Sequence, residues 1–474
     1  MNRESLLTSL GLGLMTSAAG TPLALGDAFD LDEVTRLARG SLVGQNVDRA
    51  VPGFELLLMR DGVTIYRQAF GSFQLDQVAN ADSATKTLSG ALMMSLTENS
   101  PQAFSLDTRL SQFIPQFSGA KSTITIRQAF SHTAGLGATS AEGNPSVDLQ
   151  GAALIIASAP LAFAPGTTFL YGGSSMHAAG AVAELAGGQP WNTLFAQRIT
   201  GPLGMSSTRF VLTTPTNPRI AGGCESRATE FARFMECLRR GGEIDGVRIL
   251  QPTSVQQMFT RQTPVGVPIA GTPYKESSDY GVGVWLDRNA QGVVNAAVAA
   301  GARGFYSWID FDDRVVGAFA TDLTRSGNII GLLDLVRAAT EQAVRKPALP
   351  GDANRDGTLD RLDLDALAAF FGDSGVLWSQ GDFTGDGLAN TTDLDVVRQS
   401  YDPESFEADW QWATNRAACA ADFNGDAQAD FFDFLDFTEA YAARGPLADV
   451  DRDGAVDFFD YLAYAIAFDA GCGS

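Results

Sequence analysis

The sequence predicts an α/β (α+β) fold, in which an antiparallel sheet is flanked by helices and joined to a helical subdomain, followed by a small all-α module. Three observations lead to this prediction. The chain has 474 residues, more than one hydrophobic core supports. Its β-prone runs cluster near residue 60 and again after residue 280, with helix-like apolar spacing between them. Most of its formal charge of -22 lies behind residue 350.

The sheet is predicted to form from both ends of a first domain, residues 27–345. Residues 54–59 and 63–70 are apolar runs joined by Arg60-Asp61-Gly62, a turn typical of a hairpin. Further strands, and then a closing helix, are predicted at 281–286, 293–298, 304–309, 315–321 and 329–344. Helix-like apolar spacing occurs between the two groups of strands, at 124–130, 175–186 and 227–238. We therefore expect a cleft between the sheet and a helical insertion.

The acidic tail begins after a linker at residues 346–351, which contains two prolines. Residues 351–474 hold 26 acidic residues and 6 arginines, which gives -20, whereas the 29 acidic and 27 basic residues before them give -2. Such a tail repels nucleic acid and anionic lipid, and its expected partners are cations or a basic protein face.

The first 26 residues predict a signal peptide, with a frayed N-terminus as the alternative. Arg3 is followed by an apolar stretch at 6–15 and by small residues up to Gly26. No other segment offers the roughly 20 uninterrupted apolar residues of a membrane span. We expect an exported bacterial protein, secreted or located at the cell surface or in the periplasm, with no transmembrane span.

The tetrad Ser83-Ala84-Thr85-Lys86 is the main candidate for catalysis. The sequence has only two histidines, His132 and His177, and no H-E-x-x-H, C-x-x-C or G-x-S-x-G pattern. Zinc chemistry and an α/β-hydrolase triad are therefore poorly supported. Residues three apart on a helix share a face, so Lys86 can reach the Ser83 hydroxyl, and burial would lower the pKa of its amine toward that of a base. The alternative is a helix cap followed by a solvated lysine.

Five segments in order resemble the serine β-lactamase and penicillin-binding-protein superfamily, in particular class C-like β-lactamases and family VIII esterases. The resemblance covers about residues 30–345 and rests on the tetrad, Ser131-His132-Thr133-Ala134-Gly135-Leu136, Pro165-Gly166-Thr167-Thr168-Phe169-Leu170-Tyr171-Gly172-Gly173, Pro202-Leu203-Gly204-Met205 and Gly222-Gly223-Cys224-Glu225-Ser226. It implies a β-lactamase/transpeptidase-like fold and makes His132 a structural residue. It also implies an acyl-enzyme mechanism that needs no cofactor for catalysis.

The resemblance assigns the catalytic groups. Ser83, Lys86 and Tyr171 are the expected catalytic residues, and the backbone amides of Ser83 and Ala302 are the expected oxyanion hole. Whether Lys86 or Tyr171 takes the serine proton stays open, and a tyrosine in a glycine-rich turn can also serve packing alone.

Two departures from the family pattern narrow the expected substrate. Gly173 stands where the family has asparagine, and Ala299-Ala300-Gly301 replaces a motif that begins with a cation. The missing cation favours neutral esters or amides over substrates with a carboxylate. Gly173, Gly301 and Arg303 are the candidate substrate-binding residues, since Arg303 could share the strand face of Ala299; a solvated or salt-bridged arginine is the alternative.

Four acidic loops in the tail follow the D-x-[DN]-x-[DN]-G pattern of calcium sites, with a carboxylate at position 12. The third loop has Ala427 at the place of glycine. Aspartate at position 12 resembles dockerin repeats and implies EF-hand pairs at 352–401 and 419–472; the alternative is a merely acidic, solvated tail. The candidate Ca²⁺ ligands are Asp352, Asn354, Asp356, Thr358, Asp360, Asp363, Asp382, Thr384, Asp386, Asn390, Asp393, Asp422, Asn424, Asp426, Asp430, Asp433, Asp449, Asp451, Asp453, Asp457 and Asp460.

The four cysteines fall into two groups. Cys419 and Cys472 bracket the last two loops, where a disulfide would stabilise a small exported module. Cys224 and Cys237 could pair or remain as buried thiols.

Together these features predict a secreted, esterase-type serine hydrolase that acts on a small ester, amide or β-lactam substrate. The tail would bind calcium and a cohesin-like or cell-surface protein. The alternatives are a D-alanyl-D-alanine carboxypeptidase, a β-lactamase, or a catalytically inactive binding protein on this fold.

Overall fold

The computed structural model describes residues 29–323, 329–450 and 455–472. Contacts divide the chain into two compact units, one formed by residues 38–334 and the other by residues 1–37 with 335–474. The predicted signal peptide lies outside the described residues. The larger unit ends eleven residues before the expected boundary at 345, because the helix that precedes the linker is divided between the two units.

The larger unit contains a six-stranded antiparallel sheet, which confirms the sheet predicted from both ends of the domain. In spatial order, β3, β4, β5 and β6 are followed by β1 and β2. Its strands are β1 Gly53–Arg60, β2 Val63–Gly71, β3 Trp285–Arg288, β4 Val294–Ala300, β5 Tyr306–Asp310 and β6 Val315–Ala320. The β1–β6 pairing, from Glu55 opposite Ala320 to Arg60 opposite Val315, joins the early hairpin to the late strands.

The β1–β2 hairpin forms where the sequence predicts it. Asp61 and Gly62 both have positive φ, 51° and 86°, which two-residue turns of this kind need and which aspartate and glycine accept more readily than other residues. Residues 53–58 of β1 are buried throughout, as expected for a strand inside the sheet with both faces covered.

Among the described residues of the first 345, the helices of ten or more residues are α1 Asp32–Leu42, α2 Thr85–Glu98, α3 Leu149–Ser158, α4 Ser174–Gly187, α5 Ala228–Arg239 and α6 Ile330–Arg345. Helix α5 packs against β1, β5 and β6, and α2 is buried from Thr85 to Leu96. The helix expected at 124–130 is shorter, Ile126–Phe130, because the Thr125 hydroxyl accepts the Gln128 N–H and starts the helix there.

The tail folds as helices, as predicted, around two separate apolar clusters. Its helices are α7 Arg361–Phe370, α8 Thr391–Ser400, α9 Phe406–Ala418, α10 Phe431–Ala442 and α11 Phe458–Ala470. Helix α9, which the loop pattern did not predict, packs against α7 and contributes Phe406 and Trp410 to the first cluster. Among the described residues, no helix has the length and apolar character needed to cross a bilayer.

Candidate active site

Ser83 lies at the start of α2, a buried helix of the larger unit. It belongs to a short 3-10 turn, Asp82–Ala84, that continues directly into α2. Lys86 follows one turn later and is 3% exposed, whereas Ser83 is only partly buried. The Lys86 Nζ lies 3.0 Å from the Ser83 Oγ, so the structure brings the two predicted residues into hydrogen-bond contact.

The Lys86 amine has two further neighbours. It donates to the backbone oxygen of Ala221 at 2.8 Å, and it lies over the ring of Tyr171, 4.5 Å from the ring centre. The same loop is fastened to α2 by the Cys224 N–H, which donates to the Thr85 hydroxyl at 3.1 Å. These contacts fix the amine beside the serine, since a flexible lysine side chain otherwise samples many rotamers.

Tyr171 comes near the serine from a distant loop, as predicted, but it meets Lys86 through its ring face. Its backbone N–H donates to Gly271 at 3.0 Å, and its ring stacks on Trp285 with centres 5.2 Å apart. Among the described residues its hydroxyl makes no hydrogen bond to Ser83 or Lys86. Burial raises the pKa of Tyr280 well above the usual value, and the charge and hydrogen bond of Tyr171 raise it further.

His132 is a packing residue of this cluster. Its ring is buried between Tyr171 and Tyr280, with ring centres 4.4 and 4.7 Å away. Its Nδ1 accepts the Gly172 N–H at 3.4 Å, so the proton of the neutral ring lies on Nε2, which has no partner within the described residues. Burial, helped by the charge of Lys86, lowers the pKa of His132 well below its usual value. A neutral, enclosed imidazole fits the structural role that the family resemblance implies.

Two backbone amides are available as an oxyanion hole. Ser83 and Ala302 line the same cavity, and within the described part of the chain neither amide N–H has a hydrogen-bond acceptor. Neighbouring amides are paired, for example that of Ala84 with Ala81. Unpaired N–H donors at the nucleophile are what a developing oxyanion requires.

Gly173 lies at the start of α4 and is not among the described residues that line the cavity. A Cβ at this position would lie 1.9 Å from the Glu142 Oε2. The other oxygen of the Glu142 carboxylate accepts the Ser174 hydroxyl at 2.9 Å. Glu142 therefore takes up the space that the family's asparagine would need, so the predicted role of Gly173 in substrate binding has no support in the geometry.

Arg303 also differs from its predicted place. Strand β4 ends at Ala300, so Arg303 lies in the following turn and not on the strand face of Ala299. Its guanidinium binds Asp82 and Asp322, at 2.9 and 3.0 Å, which is the salt-bridged alternative. Among the candidates for substrate binding, Gly301 alone lines the cavity.

The cavity in front of Ser83 has a volume of about 880 Å³. Besides Ser83, Tyr171, Gly301 and Ala302, its wall is formed by Gly271, Thr272, Pro273, Tyr274, Lys275, Trp285, Ala300, Tyr306, Ile329, Ile330 and Gly331. Tyr274 stacks on Trp285 with ring centres 5.0 Å apart, which extends the stack formed by Tyr171. One wall of the cavity is therefore aromatic.

Most of this aromatic wall was not predicted from the sequence. Tyr306 on β5 pairs with Ala300, within the predicted third motif, and Trp285 on β3 pairs with Val298 from the other side of β4. The strand pattern contained this information, because strands next to the third motif must carry the neighbouring side chains. Tyr274 gave no such signal, since it lies in a loop between residues 269–271 and β3.

The four tail loops share one internal arrangement where they are described. The carboxylates at position 1 of the first three loops accept backbone N–H groups four and five residues later, as Asp352 does from Asp356 and Gly357. The carboxylates at position 12, Asp363, Asp393, Asp433 and Asp460, are buried and close capping boxes with position 9. Predicted ligands Asp451 and Asp453 lie outside the described residues.

The third loop carries backbone strain at its sixth position. Ala427 has a φ of 69°, close to the 84° and 80° of the glycines at the same place in the first two loops. A left-handed conformation costs a residue with a Cβ about 1–2 kcal/mol. The cysteines that bracket the last two loops, Cys419 and Cys472, form a disulfide, whereas Cys224 and Cys237 are free, buried thiols.

Comparison with known proteins identifies the larger unit. The family model described as Beta-lactamase matches residues 36–339, more than half of the chain. The chain is 29% identical over 231 residues to the esterase EstB of Burkholderia gladioli, which covers 42% of this chain and 57% of that protein. It is 24% identical over 249 residues to an Escherichia coli K12 protein named "Putative D-alanyl-D-alanine carboxypeptidase". This match covers 46% of this chain and 56% of that protein. The chain thus spans little more than half the length of either curated relative.

A solved structure agrees with this family. A structure entitled "putative beta-lactamase from Bacteroides dorei DSM 17855" has a TM-score of 0.60 and 26% identity, and the match covers 67% of this chain and all of that one. The family match and the Ser83–Lys86 contact fall on the same unit. The chain belongs to the Beta-lactamase family.

Proposed function

We propose that this protein is an exported, esterase-type hydrolase that forms an acyl-enzyme on Ser83, with a calcium-binding C-terminal module. The observation that carries the esterase assignment is the lack of an available cation in the cavity. Lys275 is the one basic side chain among the described residues of the cavity wall, and its amine is bound by Asp287 and Asp334 at 3.3 and 2.7 Å. A substrate carboxylate would have to compete with both.

The aromatic wall of the cavity favours neutral, apolar groups. Tyr171, Tyr274 and Trp285 form a continuous stack, and aromatic rings of this kind bury large areas at little entropic cost. Ala299, where the family places its cation, is 2% exposed and contributes no charge. The esterase EstB among the relatives points in the same direction.

The site supports a two-step acyl transfer. The Ser83 Oγ attacks the ester carbonyl, and its proton passes to the Lys86 Nζ, 3.0 Å away. The amides of Ser83 and Ala302 stabilise the oxyanion, and the collapse of the tetrahedral intermediate breaks the ester C–O bond while the proton goes to the leaving alcohol. Water then attacks the acyl-enzyme, Lys86 takes a water proton, and the carboxylic acid leaves as Ser83 regains its hydrogen. Tyr171 packs its ring face against the amine and holds it beside the serine.

The test is turnover on a matched panel. Purified protein and its Ser83→Ala variant are compared on p-nitrophenyl acetate and butyrate, on a chromogenic cephalosporin and on a peptide ending in D-Ala-D-Ala. We expect the esters to be turned over fastest and Ser83→Ala to be inactive. Faster release of D-alanine would favour the carboxypeptidase alternative, and faster cephalosporin opening the β-lactamase. No turnover and no labelling by a fluorophosphonate would favour a binding protein.

Calcium binding by the tail is proposed from its donor set. Each loop offers side-chain oxygen donors in its sequence, most of them carboxylates, and its position-12 aspartate is buried, a donor set that suits a hard cation such as Ca²⁺. Asp363, Asp393 and Asp433 are buried yet held by backbone N–H groups, and no ion pair compensates their charge within the described residues. A bound cation would supply that compensation.

Calcium stoichiometry and affinity are measurable on the full chain by calorimetry and native mass spectrometry. The Ala427→Gly variant is the sharpest probe, because glycine adopts the observed φ without strain. We expect this variant to raise the Ca²⁺ affinity of the third loop and to leave the affinities of the other loops unchanged. Absence of Ca²⁺ binding by the wild type at millimolar concentration would reject the proposal.

Docking of a partner by the tail is proposed from its exposed aromatic pairs. Phe431-Phe432 and Phe458-Phe459 occupy the same place in the third and fourth repeats and are 63–65% exposed. The surrounding negative charge favours a protein with an apolar patch and a basic rim, such as a cohesin-like module or a cell-surface protein. Binding to purified cohesin modules, compared between the wild type and Phe431→Ser/Phe432→Ser, tests this. Equal binding of both proteins would contradict it.

A further inference from the structure

Asp82 and Arg303 connect two loops that are 221 residues apart in sequence. The Arg303 backbone N–H and its Nε donate to the Asp82 Oδ2 at 3.0 and 2.9 Å, and its Nη2 donates to the Asp82 Oδ1 at 2.9 Å. One carboxylate thus accepts three hydrogen bonds, two of them from a planar guanidinium. Bidentate arginine–carboxylate pairs constrain orientation as well as distance.

Each residue of the pair is the direct neighbour of an unpaired amide. Asp82 precedes Ser83, and Arg303 follows Ala302. Between the pair and the cavity the two loops are nearly in contact, because a Cβ at Gly301 would lie 2.5 Å from the backbone oxygen of Ala81. The pair therefore bridges the two segments that supply the oxyanion donors.

Further contacts hold the pair from the side away from the cavity. The Arg303 Nη1 binds Asp322 at 3.0 Å, and Asp322 also accepts the side-chain amide of Asn80 at 2.8 Å. The Arg303 backbone oxygen accepts the Leu323 N–H at 3.0 Å. Neither Asp82 nor Arg303 is among the described residues of the cavity wall, so neither is placed to touch substrate.

The backbone of Asp82 is strained. Its φ is 44°, in the left-handed region that residues with a Cβ rarely adopt. Such strain persists only where the surroundings hold it in place. The three hydrogen bonds to the Asp82 side chain are the interactions that hold this turn.

We propose that Asp82 and Arg303 are positioning residues that fix the distance between the amide donors of Ser83 and Ala302 and so preorganise the oxyanion hole. The proposal concerns the serine-hydrolase site and holds for any acyl substrate of that site. It deepens the proposed function without depending on the ester preference.

The expected signature is a loss of rate without a loss of substrate binding. Removing an oxyanion donor costs about 10²–10³-fold in kcat, so displacing one should cost less, about 10- to 100-fold. We expect Arg303→Met and Asp82→Asn to lower kcat and the rate of fluorophosphonate labelling by such a factor, with KM changed by less than about twofold. Asparagine tolerates the left-handed conformation, so Asp82→Asn removes the charge without adding strain.

The chain supplies a matched control pair. Arg288 and Asp279 form a bidentate ion pair, with side chains 33% and 16% exposed, against 30% and 16% for Arg303 and Asp82. Arg288→Met should lower the melting temperature by about as much as Arg303→Met does. It should leave kcat within about twofold of the wild type. The double variant Asp82→Asn/Arg303→Met should be no slower than the slower single variant, because both remove the same link.

Three measurements decide the proposal: kcat and KM on the best ester, the labelling rate, and the affinity for a boronic acid that mimics the tetrahedral intermediate. A boronate affinity that falls in proportion to kcat/KM supports it. A kcat no lower than that of Arg288→Met, or a loss confined to KM, overturns it. Labelling of the wild type at Ser83 is required in the same experiment, and its absence would instead reject the proposed function.

Discussion

Replacing Lys86 by methionine removes the amine while keeping a side chain of similar length. Among the described residues, Lys86 is the one basic side chain within hydrogen-bond distance of the Ser83 Oγ, at 3.0 Å, and burial keeps the nearby His132 neutral and weakly basic. No other group can therefore take over the serine proton at the same geometry. Loss of a positioned general base costs about 10²–10⁴-fold, so we expect kcat to fall by about 10³-fold, or about 4 kcal/mol in the barrier.

The stability of Lys86→Met must be measured alongside, because the backbone oxygen of Ala221 loses its donor. An unpaired buried acceptor costs about 1–3 kcal/mol. The assay is steady-state hydrolysis of a p-nitrophenyl ester, together with the rate of fluorophosphonate labelling, well below the measured Tm. A folded Lys86→Met protein that keeps more than about a tenth of the wild-type kcat would refute the assignment of Lys86 as the base.

Three further outcomes are expected. Gly301→Ala places a Cβ 2.5 Å from the backbone oxygen of Ala81, so it should displace the oxyanion loop and lower kcat by about 10²-fold, in the steady-state assay; unchanged kinetics would contradict the close approach. Burial lowers the pKa of His177 from 6.5 to about 4, so the unfolded state binds a proton that the folded state excludes, and stability falls as the pH drops from 6.5 to 4. His177→Gln should therefore remove up to about 3 kcal/mol of this pH dependence, measured by urea unfolding. Parallel curves of unfolding free energy against pH for the variant and the wild type would contradict this expectation. Cys419→Ser opens a 53-residue loop to Cys472 and should cost the tail about 4 kcal/mol by chain entropy, measured by calorimetry of the oxidised protein.

The sequence contained enough to predict the sheet and the pairing of serine with lysine. The hairpin follows from Asp61-Gly62, and the contact of Ser83 with Lys86 follows from helical spacing, both of which are local rules. The long-range approach of Tyr171 came from the family resemblance, since no local rule connects positions 86 and 171.

Features that depend on tertiary contacts could not be predicted from the spacing of residues in the sequence. The turn that carries Arg303 and its capture by Asp82 depend on where β4 ends, which periodicity defines poorly. The ring-face contact between Tyr171 and Lys86, and the Glu142 side chain beside Gly173, result from packing between distant segments. Helix α9 lies between the second and third repeats and follows none of the four loops directly, so the loop pattern does not predict it.

The central claim is that the Ser83 hydroxyl becomes covalently acylated. The most direct measurement is intact-mass and peptide analysis of the full-length protein after brief incubation with p-nitrophenyl butyrate and acid quench. The account predicts a butyryl adduct on the peptide containing Ser83, accumulation of the same adduct at a much lower rate in Lys86→Met, and none in Ser83→Ala. An ester that is hydrolysed while the adduct maps to another residue, or equal turnover by Ser83→Ala, would contradict it.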